Sequence, residues 1–241
     1  MVFTASFVVK ATNGAVICFF RGGFLFDRIR EDIAAVKERD PAARSTLEIF
    51  FLYPGVRAIR MHRRANWFYR HNLKFIARWI SQRAVRKTGI EIHPAAKIGR
   101  RLVIDHGMGV VIGETAEIGD DVLIYQGVTL GGTGKDIGKR HPTIGNNVMI
   151  SSGAKILGPF KVGDNSRIAS GAVVLEEVPP NCTAAGIPAR IVRRNGIKPL
   201  DQVHVPDLVA EELCRLELRI KSLEKQLKDT SVSANKNQEE E

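Results

Sequence analysis

The chain has 241 residues, of which 44% are hydrophobic, and a formal net charge of +10. These values are ordinary for a globular protein with one substantial core and flanking segments. No apolar run of the sequence is long enough to cross a bilayer as a helix, so we expect no membrane partner. The three cysteines, Cys18, Cys182 and Cys214, offer neither a disulfide framework nor zinc-ligand spacing. We therefore expect a cytoplasmic protein in a reducing environment.

Residues 1–23 form an N-terminal extension whose structure the sequence leaves uncertain. Its apolar pieces are interrupted at Lys10 and at Asn13-Gly14. They are therefore too short to span a bilayer, and they do not form a clear secretory signal.

The next segment, residues 24–89, has the apolar spacing of helices and predicts a small all-α domain. Ser45 or Thr46 is a candidate cap for its second helix, and Gly89 follows its last helix. From Ile49 to Ile90 the segment contains ten Lys or Arg residues and no acidic residue. Such a run can bind a polyanion such as nucleic acid. No nucleic-acid-binding motif accompanies it, so we interpret it as a solvated helical surface and expect no nucleic-acid partner.

An aliphatic residue then returns at every sixth position, a period that neither an α-helix nor a β-strand explains. A hexapeptide repeat predicts a parallel β-helix in which three hexads close one triangular coil and the repeated residue points inward. We assign residues 90–195 to this β-helix. The repeated positions are Ile92, Ile98, Ile104, Val110, Ala116, Val122, Val128, Ile144, Ile150, Ile156, Val162, Ile168 and Val174.

The hexads are interrupted once, and a helical pattern follows them. Sixteen positions separate Val128 from Ile144 where two hexads would take twelve, which predicts an extruded loop over residues 131–143. In the C-terminal tail, residues 196–241, apolar residues step by four and three and predict a heptad helix at about 207–228. This helix could join a coiled coil or lie on the body of the protein, and we favour the coiled coil. The heptad positions are Val209, Leu213, Leu216, Ile220, Leu223 and Leu227.

Histidine is the scarce residue type that could carry chemistry. Asp105-His106 occupies the outward part of a hexad, and Glu91 lies at the start of the β-helix. With about eighteen residues in a coil, Glu91 and His106 are expected on neighbouring layers. A carboxylate beside an imidazole fixes its tautomer and suits a general base. Arg140-His141 lies at the end of the extruded loop, where it could cover a bound substrate.

From about residue 24 to residue 195 the sequence resembles the serine O-acetyltransferases of the hexapeptide-repeat acyltransferase superfamily. The combination of the Asp-His, Gly-Gly-Thr-Gly-Lys and Arg-His-Pro motifs in this order is more specific than the hexads alone. The resemblance implies that the β-helix is left-handed. The matching segments are Arg39–Ala42, Ile92–Gly99, Ile104–His106, Gly113–Thr115, Val128–Lys135, Arg140–Pro142 and Ala184–Arg190.

The resemblance also implies an activity and a set of site residues. The reaction would be the transfer of acetyl from acetyl-CoA to the hydroxyl of L-serine, which commits serine to cysteine synthesis. His106 would be the general base and Glu91 would orient it, although many family members have Asp at that position. The serine ammonium and carboxylate would be bound by Asp40, Asp105, Arg140 and His141.

Acetyl-CoA, as co-substrate, would lie in a groove between neighbouring β-helices, and no metal is expected. The backbone N–H groups of Gly131 and Gly132 are candidate donors to the thioester oxyanion. Small or basic side chains are the candidates for contacts with CoA, although the family often has Ala at the two serine positions. They are Thr133, Ser152, Lys155, Ser170 and Arg193, with Arg194 beside the last of these.

The helical domain is short for this family, whose long members join two trimers into a hexamer, so we expect a homotrimer. The family's usual partner, O-acetylserine sulfhydrylase, is gripped by a tail that ends in Ile. This chain ends at Glu241, so the sequence does not predict that complex.

Three other functions fit parts of the pattern. A related acetyltransferase acting on a sugar or antibiotic hydroxyl would share the fold. A trimeric carbonic anhydrase would need a histidine pair for zinc, but His93, His106 and His141 are separated by 13 and 35 positions. A scaffold built on the heptad tail would need neither the loop nor its polar residues.

Overall fold

The computed structural model describes residues 11–12, 15–16, 22–134, 137–194, 215–224 and 226. Within the N-terminal extension, β1 (Ala11–Thr12) and β2 (Ala15–Val16) pair antiparallel. Four helices and fifteen further strands follow among the described residues between 22 and 194.

The four helices begin and end at residues suited to those positions. Helix α1 (Gly22–Arg39) stops before Pro41, and Ser45 Oγ accepts a hydrogen bond from Glu48 N–H at 3.1 Å to cap α2 (Thr46–Leu52). Of the two candidate caps predicted from the sequence, Ser45 and Thr46, the cap is Ser45. Helix α3 (Pro54–Arg70) starts with a proline, and α4 (Lys74–Thr88) ends at Gly89, whose φ of 70° is the left-handed conformation that glycine adopts easily.

The strands that follow are short and visit three sheets in turn, which generates a triangular coil. The five-stranded sheet contains β3 (Glu91–Ile92), β6 (Val111–Ile112), β9 (Thr129–Gly131), β12 (Lys155–Leu157) and β15 (Val173–Val174). The four-stranded sheet contains β4 (Lys97–Ile98), β7 (Glu117–Ile118), β10 (Thr143–Ile144) and β13 (Lys161–Val162). The six-stranded sheet contains β5 (Val103–Ile104), β8 (Leu123–Ile124), β11 (Met149–Ile150), β14 (Arg167–Ile168), β16 (Cys182–Gly186) and β17 (Ala189–Arg194).

Neighbouring strands in these three sheets are parallel except for β16 and β17, which form an antiparallel end. The chain is therefore a left-handed parallel β-helix preceded by a small helical domain, as predicted. All thirteen hexad residues contribute to the core of the coil, and only Ile98 is less than fully buried. The inward direction of the hexads is confirmed.

The first coil is longer than the predicted eighteen residues. Ile92 pairs with Ile112 and not with the hexad residue Val110, so this coil contains twenty residues. The excess lies in one turn: residues 105–110 join β5 to β6, whereas residues 125–128 suffice between β8 and β9. The loop between β9 and β10, residues 132–142, lies within the predicted bounds. Because Ile118 pairs with Ile144, its coil has 26 residues, an excess of eight over eighteen where the hexad count gave four.

Three columns of turns form the corners of the coil, and their names are kept below. The first corner leads from the six-stranded to the five-stranded sheet and contains residues 105–110, 125–128, 151–154 and 169–172. The second corner leads from the five-stranded to the four-stranded sheet and contains residues 93–96, 113–116, 132–142 and 158–160. The third corner leads back to the six-stranded sheet through residues 99–102, 119–122, 145–148 and 163–166.

The helical domain packs on the outer face of the six-stranded sheet and is held at the third corner. Apolar side chains of α1 and α3, Val36 and Val56 among them, cluster with outward residues of the sheet such as Leu123. The guanidinium of Arg39 donates to the carbonyl oxygens of Arg101, Asp121 and Val122 at 2.9 to 3.3 Å. This anchor fixes the end of α1, and with it the adjacent Asp40, beside the coil.

Near the C-terminus the chain is helical over residues 215–224, where every side chain is exposed. Leu216, Ile220 and Leu223 of the predicted heptad seam are about half exposed. Apart from Gln226, the rest of the predicted helix, including Val209, Leu213 and Leu227, lies outside the described residues. The coiled coil stays a prediction. No helix in the described ranges has the length and apolar character needed to cross a membrane.

Candidate active site

The first corner presents His106 on the lengthened turn of the first coil. His106, Gly107 and Gly109 all have positive φ values, of 56°, 77° and 74°. Within the turn, His106 N–H donates to Asp105 Oδ1 at 2.9 Å, and Val110 N–H donates to Gly107 O at 3.1 Å. His106 is exposed, and its ring nitrogens have no hydrogen-bond partner among the described residues. The imidazole is therefore free to meet a substrate.

A pocket beside this turn brings together two of the predicted serine-binding residues. Asp40, from the loop after α1, and Asp105, from the first corner, both line it, together with Tyr53 and apolar residues such as Val56 and Ile104. Tyr53 Oη donates a hydrogen bond to Asp40 Oδ2 at 2.7 Å. Two carboxylates in one pocket suit a bound ammonium group.

Glu91, the predicted partner of His106, has a different neighbour. Its Oε1 lies 3.6 Å from Arg78 Nη2 of α4, and among the described residues it makes no hydrogen bond with His106. The twenty-residue coil explains the difference in part, because it places Val111 and not a residue of the His106 turn directly above Glu91. An orienting role for Glu91 is therefore a proposal that requires its carboxylate to leave Arg78.

The second corner holds Arg140 and His141 tightly. Arg140 Nη2 donates to Glu114 Oε2 at 2.6 Å. The hydroxyl oxygen of Thr115 accepts from the backbone N–H groups of Arg140 and His141 at 3.0 and 3.1 Å. Gly113 makes room for the histidine, because a Cβ atom there would lie 1.9 Å from His141 Cδ2. These contacts fix the end of the loop against the preceding coil.

The contacts of His141 also fix its tautomer. Thr115 N–H donates to His141 Nδ1 at 3.2 Å, and the Thr115 hydroxyl lies 2.9 Å from the same nitrogen. Because a backbone N–H can only donate, Nδ1 is an acceptor and the ring proton lies on Nε2. Burial, and then the neighbouring Arg140 cation, hold the pKa of His141 below its usual range. His141 is therefore a neutral imidazole with a donor at Nε2.

The two polar clusters do not meet within one chain. Asp40, Asp105 and His106 lie at the first corner, and Arg140 and His141 lie at the second. The five-stranded sheet lies between these corners. A single chain therefore separates the predicted base from half of the predicted serine-binding residues.

The predicted CoA contacts are divided in the same way. Ser152 and Ser170 stack at the first corner, with their hydroxyl oxygens 3.3 Å apart. Gly131, Gly132 and Thr133 lead into the second corner. Lys155 starts the adjacent strand β12, where its Nζ donates to Gly127 O at 2.6 Å and Thr129 Oγ1 at 3.0 Å. Arg193 is exposed near the end of β17.

Three residues join these clusters without a role predicted from the sequence. Glu114 and Thr115 belong to the segment Gly113–Thr115, which the family resemblance singles out, but only the structure shows that they hold Arg140 and His141. Tyr53 precedes Pro54 at a helix boundary, and its contact with Asp40 depends on how α2 and α3 are joined. In the described part of the chain, no group of three His, Cys, Asp or Glu residues is placed to hold a metal ion.

Comparisons with known proteins identify the family. Residues 141–176 match the family described as bacterial transferase hexapeptide (six repeats), and residues 19–61 match serine acetyltransferase, N-terminal. A serine acetyltransferase of Synechococcus elongatus is 51% identical over 210 residues, which cover 86% of this chain and 86% of that protein. One from Staphylococcus aureus is 53% identical over 209 residues, covering 86% of this chain and 94% of the relative.

Solved structures agree with these relatives. The crystal structure of serine acetyltransferase from Brucella abortus in complex with coenzyme A has 46% sequence identity and a TM-score of 0.70, covering 72% of this chain and 70% of that one. A serine acetyltransferase in complex with cysteine has 41% identity and a TM-score of 0.73, covering 76% and 72% of the two chains. The chain therefore belongs to the serine acetyltransferase family.

Proposed function

We propose that two copies of this chain together form the serine-acetylating site, with the first corner of one copy facing the second corner of its neighbour. Membership of the family makes the reaction the transfer of acetyl from acetyl-CoA to the hydroxyl of L-serine, a step of cysteine biosynthesis. The observation that carries the shared site is the five-stranded sheet that lies between the two polar clusters of one chain.

A homotrimer is the assembly that this arrangement favours. When one surface of a copy meets a different surface of the next, the contacts form either an open filament or a closed ring. A closed threefold ring pairs the first corner of every copy with the second corner of the next, so no corner is left unpaired. Each interface of the trimer would then contain one complete site.

His106 is the proposed general base. Its exposed imidazole would take the proton from the serine hydroxyl as the serine oxygen attacks the thioester carbonyl of acetyl-CoA. The C–S bond then breaks, and the imidazolium returns the proton to the departing CoA thiolate. His106 lies on a turn with three positive φ values, and its exposed imidazole can reach a substrate.

The charges of the two clusters suit the two ends of an amino acid. Asp40 and Asp105 would bind the serine ammonium, and Arg140 and the Nε2–H of His141 would bind its carboxylate. A neutral sugar needs neither pair of charges. The chemistry of the pocket therefore supports the serine acceptor over the sugar or antibiotic acceptor.

Acetyl-CoA would lie along the same interface. Ser152 and Ser170 continue the column of first-corner turns away from His106. Gly131, at the end of β9, and Gly132 and Thr133 of the second corner would face them from the neighbour. The two glycines would offer backbone N–H groups to the oxyanion that forms on the thioester. Lys155 and Arg193 supply positive charge for the CoA phosphates.

We also propose that the reaction takes place in the cytoplasm. Cys182 is a free, buried thiol, and the three cysteines of the sequence show no disulfide spacing, both of which suit a reducing compartment.

Complementation between two defective variants tests the shared site. His106→Asn removes the base at the first corner, and Arg140→Gln weakens serine binding at the second. Trimers that form randomly from equal amounts of the two variants contain intact pairs of corners at about one quarter of their interfaces. Acetylation at low serine concentration should therefore recover to about one quarter of the wild-type rate.

Two mixtures control this experiment. Mixing His106→Asn with His106→Ala leaves no interface intact and should restore nothing. Affinity tags of two kinds show that mixed trimers have formed in each sample. If mixed trimers form and activity does not recover, the site lies within one chain and the proposal is wrong.

A further inference from the structure

Tyr53 stands at the junction between α2 and α3. It is the last residue before Pro54, and its φ of −69° and ψ of 116° are extended, as the residue before a proline prefers. The proline therefore fixes the backbone from which the tyrosine side chain leaves. Its ring packs against the apolar cluster that joins the helical domain to the six-stranded sheet.

The hydroxyl of Tyr53 holds one oxygen of Asp40. Tyr53 Oη donates to Asp40 Oδ2 at 2.7 Å, while Ala42 N–H donates to Asp40 Oδ1 at 2.8 Å. Asp40 lies in the short loop between α1 and α2, where a carboxylate without these donors would turn freely in solvent. The two hydrogen bonds fix both its position and its orientation.

The fixed carboxylate faces the pocket that also contains Asp105. Asp40, Tyr53 and Asp105 are the polar side chains that line it. The hydrogen bond to Asp40 raises the pKa of Tyr53 to about 12, so the hydroxyl stays protonated as a donor at neutral pH. Each carboxylate oxygen can accept more than one hydrogen bond, so Asp40 keeps lone pairs for a substrate.

We infer that Tyr53 is a positioning residue for L-serine, which it serves by holding Asp40 in the orientation that binds the substrate ammonium. This inference rests on the proposed function, which assigns Asp40 to the serine ammonium. Tyr53 itself touches no reacting atom. Its hydroxyl acts through Asp40 on serine binding, with no direct part in the proton transfer or in CoA binding.

Tyr53→Phe tests this role because it removes the hydroxyl and keeps the ring in its apolar cluster. Because a hydrogen bond to a charged group contributes more free energy than one between neutral groups, its loss should raise the KM for L-serine about tenfold. The kcat and the KM for acetyl-CoA should change little. Tyr69→Phe is the matched control, since Tyr69 lies on α3 and meets His93 and Lys74 through its ring, which phenylalanine keeps.

A double-mutant cycle with Asp40→Asn separates a positioning role from a general effect on the fold. If Tyr53 acts through Asp40, adding Tyr53→Phe to Asp40→Asn should raise the KM for serine no further. An additive effect, or an unchanged KM in Tyr53→Phe while Asp40→Asn raises it, would overturn the inference and leave the proposed function standing. An unchanged KM in Asp40→Asn would refute the assignment of Asp40, and the role of Tyr53 with it.

Discussion

The turn that carries His106 and the corner that holds His141 are built in opposite ways. His106 lies on a turn two residues longer than its counterpart in the next coil, with an exposed ring whose nitrogens have no hydrogen-bond partner among the described residues. His141 is buried, and Thr115 contacts both its Nδ1 and its backbone N–H. A histidine that moves a proton needs a ring nitrogen that a substrate can reach, whereas one that orients a carboxylate needs a fixed tautomer.

His106→Asn should have the largest effect, because it removes the free imidazole alone. Asparagine tolerates the positive φ of this position better than most residues, so the turn is kept. We expect kcat to fall about 10²–10⁴-fold, the usual contribution of a positioned general base. Release of the CoA thiol at saturating serine measures it. His71→Asn, at the exposed end of α3, is the control. Near-normal turnover of His106→Asn would show that the free imidazole of His106 does not act as the general base.

A third histidine, His62, should affect the stability of the fold and not catalysis. His62 of α3 is buried, and its Nδ1 has no hydrogen-bond partner in the described structure. Burial lowers the pKa of His62 to about 4, whereas the unfolded chain has its ordinary value near 6.5. The neutral form is favoured in the folded state, so its contribution to stability is complete above about pH 6.5 and is lost as the pH falls toward 4.

The substitution His62→Leu should remove this pH dependence. Between pH 7.5 and pH 5 the wild-type free energy of unfolding should fall by about 2 kcal/mol more than that of the variant. Urea unfolding at the two pH values measures the difference. His71→Asn should follow the wild type. Equal losses in wild type and His62→Leu would show that the buried histidine does not set the acid sensitivity.

The substitution Gly113→Ala should have a smaller effect on activity, because it displaces His141. A methyl group at this position would overlap the imidazole of His141, which is rigid and has to move. We expect the KM for L-serine to rise about tenfold through the lost contact with the substrate carboxylate, with kcat less affected. Steady-state kinetics at varied serine measures both. A fall in kcat at an unchanged KM would show that His141 takes part in the chemical step instead.

The core of the coil could be predicted from the sequence, but its exact register could not. All thirteen positions found by hexad counting are in the core, but the count missed the buried Ile112, Ile118, Ile124 and Leu130, because it continued through the long turn at residues 105–110 without a break. The reason is that Val110 and Ile112 are both aliphatic and both buried. A two-residue insertion therefore leaves an aliphatic residue at each sixth position. For the same reason the expected stacking of Glu91 near His106 rested on a coil two residues too short.

The site was only partly predictable, because some of its contacts depend on elements distant in sequence. The motifs around His106 and His141 identified both histidines as candidate site residues. The contact between Tyr53 and Asp40, in contrast, depends on a break between two helices, and the contact between Thr115 and His141 depends on how a long loop returns to the preceding coil. Spacing along the chain carries no signal for either.

The division of the polar clusters between two corners has a consequence for the cell. A newly made chain would be inert until it met other copies, so the onset of acetylation would follow assembly and not translation. Each copy would also border two sites. A folded copy with damage at both corners would silence every site that it borders, and its effect on a mixed population would exceed its share of the protein.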